Sequence, residues 1–314
     1  MTLNSNEALY TSLYRIRRVE EEIIRLYPSD RIKSPVHLSI GQEAISVGVC
    51  AALKPDDVAF GTYRGHALYL AKGGDLKAMM AELYGKRNGS ARGKAGSMHL
   101  IDIKAGMMGT SAIVATTIPQ AVGYALAIRM RKQNRIVVVF FGDGAADEGV
   151  FHESLNFAAL KELPIFFICE NNGYAIYSPV RDRMPEANFC ERAQSYRIPA
   201  ERIESGCTLE IHAAAANAVE TIRNGEGPKF LECVTARWRD HVGPDEDRIW
   251  KYRPDKELDD WIARDDVAVM AKRLKPTRRH EIEDEVEREI ADAITFAEDS
   301  PYPAEEELYK NVFR

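Results

Sequence analysis

Two short apolar runs, residues 136–141 and 164–169, constrain this chain more than any other feature. Both are rich in β-branched and aromatic residues and lack alternation, the pattern of parallel strands buried on both faces. The first stops at Gly142-Asp143-Gly144 and the second at Glu170-Asn171-Asn172-Gly173. Between them, residues 148–161 have helix-forming composition, with Val150, Phe151, Leu155, Ala158 and Ala159 near one face. Strand, helix and strand make a βαβ unit, whose crossover is right-handed and whose strands end on one edge. Open parallel sheets bind their ligands at that carboxyl edge. Asp143 and Asn172 are therefore brought to one place.

The chemistry expected there is that of hard oxygen ligands. Asp143 offers an anionic oxygen and Asn172 a neutral amide oxygen, a set suited to magnesium or calcium rather than zinc. Gly142 and Gly144 leave the backbone room to approach a ligand. The N–H groups of Gly144 and Ala145, placed at the start of the following helix, are positioned to receive phosphate oxygens. Magnesium usually completes its shell with a phosphate-bearing ligand, so these residues predict a metal–diphosphate site. A lone Gly-Asp-Gly is more often a strand-ending turn. Its pairing with Asn-Asn on the next parallel strand is what favours the site.

With 314 residues, the chain can bury a sizeable core as one large α/β domain or two small ones. A net charge of −6 argues against nucleic acid or an anionic membrane as partner. No apolar segment approaches the roughly 20 residues that span a bilayer. The opening residues lack an apolar signal core and are too acidic for a transit peptide. The five cysteines form no Cys-x-x-Cys pair, and the cytoplasm is the expected compartment.

The segments FGDGAADEG, FHESLNFAALKELP and ENNGYAI resemble the α subunit of the decarboxylating component of 2-oxo acid dehydrogenase complexes, a family with pyruvate, acetoin and branched-chain members. The resemblance runs from about Leu9 to Phe313. It implies an α/β fold, a doubly wound parallel sheet with C-terminal helices, as one domain over residues 1–314. An N-terminal helix at 9–27, a core at 36–240 and a helical extension at 255–314 are expected. Thiamine diphosphate and Mg²⁺ are the implied cofactors, with the metal held by Asp143, Asn172 and the backbone carbonyl of Tyr174.

The same resemblance assigns roles elsewhere. His37, ahead of Gly41-Gln42-Glu43, would line the substrate channel. Tyr63 and Arg64 would bind the diphosphate, a task that suits arginine's planar fork, and His66 completes that segment as a further catalytic candidate. Read alone, a loop histidine more often caps or packs, and a Tyr–Arg pair is more often a surface feature. Residues 85–112 combine six glycines with Lys86, Arg87, Arg92, Lys94 and Lys104. Long loops of this kind are functional or disordered, and this one is expected to order as a lid over the cofactor.

Ala112-Ile113-Val114 matches a Gly-Ile-Val segment that grips the aminopyrimidine ring through its backbone, with alanine in place of the glycine. His241, beyond a strand expected at 229–235, aligns with a phosphate-binding or catalytic histidine. Arg239 and Val242 replace a histidine and a phosphorylated serine, so kinase control at that point is not supported. Gly243-Pro244-Asp245-Glu246-Asp247 is expected to place three carboxylates at the mouth of the site. Residues 178–196 read as irregular, and 258–274 and 281–297 as two charged amphipathic helices.

The activity implied is oxidative decarboxylation of a 2-oxo acid, or cleavage of acetoin, with acyl transfer to a lipoyl group on an acyltransferase core. In this family a β subunit contributes the glutamate on the far side of the aminopyrimidine ring, so an α2β2 heterotetramer is expected. Two other readings stand beside it. A two-component carboligase with an aldehyde or ketone acceptor is kept open by the acidic mouth. A non-catalytic assembly subunit is opposed by the intact set of metal and phosphate ligands.

Overall fold

The computed structural model describes residues 5–310 other than Glu186, so the end of the expected C-terminal extension, Phe313 included, lies outside the described residues. Helix α1 (Asn6–Leu26) is followed by α2 (Glu43–Cys50), β1 (Val58–Thr62), α3 (His66–Ala71), α4 (Leu76–Leu83), β2 (Met107–Ser111), α5 (Thr117–Met130), β3 (Val137–Gly142), α6 (Gly149–Leu160) and β4 (Ile165–Asn171). A hairpin of β5 (Tyr174–Ala175) and β6 (Ser178–Pro179), then α7 (Val180–Arg183) and α8 (Phe189–Ser195), lead to β7 (Ala200–Ile203), α9 (Thr208–Arg223) and β8 (Lys229–Val234). Helices α10 (Asp255–Ile262), α11 (Asp266–Ala271) and α12 (Pro276–Asp299) follow.

Six strands form one parallel sheet in the order β2-β1-β3-β4-β8-β7. Successive residues of a strand face opposite sides, and here both sides are apolar. Val138, Phe140, Phe166 and Ile168 join a core with α1, α2, α4, α9 and α12. Val137, Val139, Phe141, Ile165, Phe167 and Cys169 join a second core with α5, α6 and α8. Covering helices on both faces explain why the two central runs do not alternate. The parallel sheet with helices on both faces is the α/β architecture expected.

Three local expectations change. Residues 107–111, placed in the glycine-rich loop from sequence, pair in parallel with β1 as the edge strand β2. The region 178–196 contains α7 and α8. The helix expected over 258–274 is two helices, because the Asp265 side chain accepts the Val267 N–H and starts a new helix. Asp265 also pairs with the buried Arg17 of α1 at 3.1 Å, which fixes the break to the core. No helix among the described residues is long and apolar enough to cross a membrane.

Candidate active site

From β1 the chain moves outward to β2 and returns on the other side of β1 as β3. The carboxyl edge between β1 and β3 is thus a topological switch point, where parallel sheets leave a crevice. A cavity of about 250 Å³ opens there. Its wall includes Tyr63 and Arg64 after β1, Ile113 and Val114 after β2, and Gly142, Asp143, Gly144 and Ala145 at the end of β3. Asn172 and Tyr174 after β4 and His241 beyond β8 complete the expected set. His37 stands against this wall, its ring 4.5 Å from Tyr63 and 5.2 Å from His241 between centroids.

His66 is elsewhere. Fully buried, its Nδ1 meets Glu20 Oε2 at 3.0 Å and its Nε2 meets Ser97 Oγ at 2.7 Å. It ties α1, α3 and the glycine-rich segment together rather than facing the cavity, and the catalytic expectation for it is corrected to a scaffolding position.

Arg64 links the two histidine-bearing segments. Its Nη1 donates to the Leu38 carbonyl at 2.7 Å and its Nη2 to the His241 carbonyl at 3.1 Å. Backbone bonds reinforce the link, with Gly243 N–H donating to Val36 and Trp238 N–H to Ile40. Gly41 makes the approach possible. At φ +96° it presses on β8's exit, where a Cβ would sit 2.3 Å from the Ala236 carbonyl. Burial, and then the Arg64 charge, bring both His37 and His241 down to about 3. Both rings are therefore neutral at neutral pH. Their buried Nδ1 atoms have no partner among the described residues, which leaves two polar atoms for a ligand to satisfy.

The ends of β3 and β4 carry the oxygens. Asp143 is 1% exposed, and burial pushes its carboxyl up to about 6 against the pull of Arg183. Arg183 Nη2 donates to Asp143 Oδ2, leaving Oδ1. Asn172 Nδ2 donates to Gln42 Oε1 at 3.0 Å, while its Oδ1 accepts the Tyr174 N–H at 3.1 Å and keeps a lone pair. No three His, Cys, Asp or Glu side chains converge among the described residues. A dication here would draw on one carboxylate, an amide oxygen, a backbone carbonyl and ligand oxygens, a shell that magnesium accepts. Nothing lies within 4 Å of the position a Cβ would take at Gly142, which leaves a ligand free access to that backbone. Asp143–Asp147 form a 3₁₀ turn ahead of α6. The Gly144 and Ala145 N–H groups thus belong to that turn and not to the first turn of the helix, a correction to the sequence reading.

Two surroundings differ from expectation. Of the glycine-rich segment 85–112 only Ser111, at the end of β2, lines the cavity, and residues 85–110 do not stand over it. The segment wraps instead around the buried Glu82 carboxylate, which accepts the N–H groups of Ala91, Gly93, Ala95 and Gly96 at 2.7–3.1 Å. Its basic residues reach the C-terminal segment, through Arg92–Glu307 and Lys94 on the Lys310 carbonyl. The acidic mouth is also reduced. Asp245 and Glu246 are exposed, but Asp247 is 1% exposed and pairs with Arg237 at 3.0 Å and Arg253 at 2.6 Å. Ala112 is absent from the cavity wall, so its methyl group does not narrow it.

Sequence reading missed Gln42, Glu170 and Arg237 on the wall and Arg183 behind Asp143. Burial, opposed by Arg64, pushes Glu170 up to about 7. Gln42 and Glu170 sit inside segments the sequence singles out, whereas nothing local marks Arg183.

A family model described as the dehydrogenase E1 component matches residues 11–306. The α subunit of acetoin:2,6-dichlorophenolindophenol oxidoreductase of Bacillus subtilis (strain 168) is 36% identical over 319 residues, covering 100% of this chain and 95% of that protein. The pyruvate dehydrogenase E1 component α subunit of Zymomonas mobilis is 36% identical over 311 residues, covering 96% and 87%. The acetoin:2,6-dichlorophenolindophenol oxidoreductase α subunit of Cupriavidus necator is 37% identical over 314 residues, covering 97% and 93%. With its strand ends, cavity and whole-length similarity in agreement, the chain belongs to the dehydrogenase E1 component family, whose members are thiamine diphosphate-dependent oxidoreductases.

Proposed function

We propose that this chain is the α subunit of a thiamine diphosphate- and Mg²⁺-dependent dehydrogenase that oxidatively decarboxylates a 2-oxo acid or cleaves acetoin. The observation that carries this reading is the gathering of polar groups around one cavity. Tyr63 and His241, with His37 against them, and the oxygens of Asp143 and Asn172 surround it, and the Nδ1 atoms of both histidines are unpartnered. Asp143, Asn172 and the Tyr174 carbonyl would hold Mg²⁺. Tyr63 and His241 would donate to the diphosphate, and Arg64 would stabilise its charge while keeping the His37 and His241 segments together. Ile113 and Val114, 68% and 44% exposed, offer apolar surface for the organic ring. When bound, thiamine diphosphate supplies a carbanion-stabilising centre for the substrate carbonyl. His37 and His241, both neutral, can then move a proton at Nδ1 or Nε2.

A second chain fits this geometry. The cavity is smaller than the roughly 300–1,000 Å³ of a complete ligand pocket, and Ile113, Val114, Ile176 and Val242 leave an exposed apolar collar near it. A β subunit closing the site in an α2β2 assembly, and supplying the pyrimidine-side glutamate, would cover that collar. A lipoyl acyltransferase would then accept the acyl group. Five free cysteines suit a reducing compartment such as the cytoplasm. The carboligase alternative loses part of its motive, because Asp247 is not at the mouth.

The test is turnover by the chain purified with its β subunit, thiamine diphosphate and Mg²⁺. Dye reduction with one favoured compound among a panel of 2-oxo acids and acetoin is the expected result. Product formation only after addition of an aldehyde or ketone acceptor would overturn it.

A further inference from the structure

Arg183 joins the ends of β3 and β4. The chain leaves Asn172, turns through the β5–β6 hairpin, and returns to β3 within a few residues. Tyr174 pairs with Pro179 and Ala175 with Ser178. The Val180 N–H donates to the Gly173 carbonyl at 2.9 Å, so α7 is anchored to the same turn that carries Tyr174. At the end of α7 the Arg183 guanidinium commits all three nitrogens. Its Nε donates to the Ser178 carbonyl at 3.3 Å, Nη1 to Asp147 Oδ2 and Nη2 to Asp143 Oδ2. The side chain is 13% exposed and Asp143 is 1% exposed. This is a fixed contact between the ends of β3 and β4, and not a loose surface pair.

We propose that Arg183 is a positioning residue of the metal–diphosphate site, holding Oδ2 of Asp143 so that Oδ1 alone is presented to the metal. The inference rests on the reading of the cavity as that site. A carboxylate offers two oxygens that can rotate between one-toothed and two-toothed binding, and a group that occupies one of them removes the choice. Asp147 fixes the far side of the guanidinium, and Ser178 sets its plane. The hairpin that supplies Tyr174 therefore also sets the orientation of Asp143. Losing an orienting partner of a metal ligand typically weakens metal affinity about 10–100-fold.

The experiment follows Mn²⁺ by electron paramagnetic resonance in the assembled protein at saturating thiamine diphosphate, with thermal melting of the metal-free protein as a control for folding. Arg183→Met is expected to raise the Mn²⁺ half-saturation about 10–100-fold, and Arg183→Lys, which reaches one carboxylate at a time, to restore it only in part. Asp147→Asn should shift it in the same direction by less, and it decides the matter if the Met variant does not fold. Unchanged affinity in the folded variants, or full rescue by lysine, overturns the proposal. Tighter binding by Arg183→Met would also overturn it, since the arginine would then compete with the metal. If the wild-type protein shows no Mn²⁺ binding that depends on thiamine diphosphate, the functional reading itself fails, and this inference with it.

Discussion

Asp247→Asn should loosen the segment that carries His241. The Asp247 carboxylate sits between Arg237 and Arg253, both buried, and takes the Tyr252 hydroxyl as well. Arg237 also donates to the Arg239 carbonyl at 2.9 Å and the Ile176 carbonyl at 3.2 Å, so it braces both sides of the cavity mouth. Neutralising Asp247 leaves two cations in a dry environment with no counter-charge. Breaking a buried pair in this way costs about 3–5 kcal/mol. At about 2.1 cal/mol/K per residue, unfolding of 314 residues carries an entropy near 0.66 kcal/mol/K, so melting should fall by about 5–8 °C. Thermal melting of the variant, with calorimetric titration of thiamine diphosphate, checks both the fold and the site. Asp245→Asn, two residues away and exposed, is the control and should move melting by less than about 1 °C. If the two variants behave alike, the buried network does not hold the segment and the reasoning fails.

Other consequences follow from the same geometry. His37 and His241, at about 3 when folded, lie below the histidine value of 6.5. A depressed value favours the neutral form, so this contribution is intact above pH 6.5 and is lost as pH falls toward 3. His37→Gln should therefore lose less stability than wild type between pH 6.5 and 4, read by urea unfolding at each pH. Gly41→Ala would set a Cβ against the Ala236 carbonyl at a positive φ, and should cost about 2–4 kcal/mol, measured by denaturant midpoint. Glu82→Gln turns one acceptor oxygen into a donor facing backbone N–H groups. It should cost about 2–4 kcal/mol and open residues 85–100 to limited proteolysis, mapped by mass spectrometry.

Much of the site was legible because strands and their ends are local matters. The apolar runs at 136–141 and 164–169 could only be buried strands, and their terminal residues had to reach one edge. The residues that escaped are those whose partners lie outside their own helix, strand or turn. Glu82 looks like an ordinary helical glutamate until the loop that follows closes on it. Asp247 reads as one of several surface acids until Arg237 and Arg253 fold around it. His66 belongs to a motif, but Glu20 and Ser97 take both of its nitrogens. The glycine-rich segment was read from its composition and its resemblance to a family loop, neither of which registers an anion that its backbone can bind. Arg183 lies in a stretch without periodicity, and only the hairpin's return to Asp143 gives it a place.

One cavity holding thiamine diphosphate through a magnesium ion is the central proposal. Isothermal titration of thiamine diphosphate into the assembled protein, with Mg²⁺ and then with the metal chelated, tests this most directly, using Asp143→Ala as the second arm. Saturable binding to one site per chain that requires Mg²⁺ and is lost in Asp143→Ala is the predicted result. No binding in Mg²⁺, or binding indifferent to both the metal and Asp143, would contradict the account.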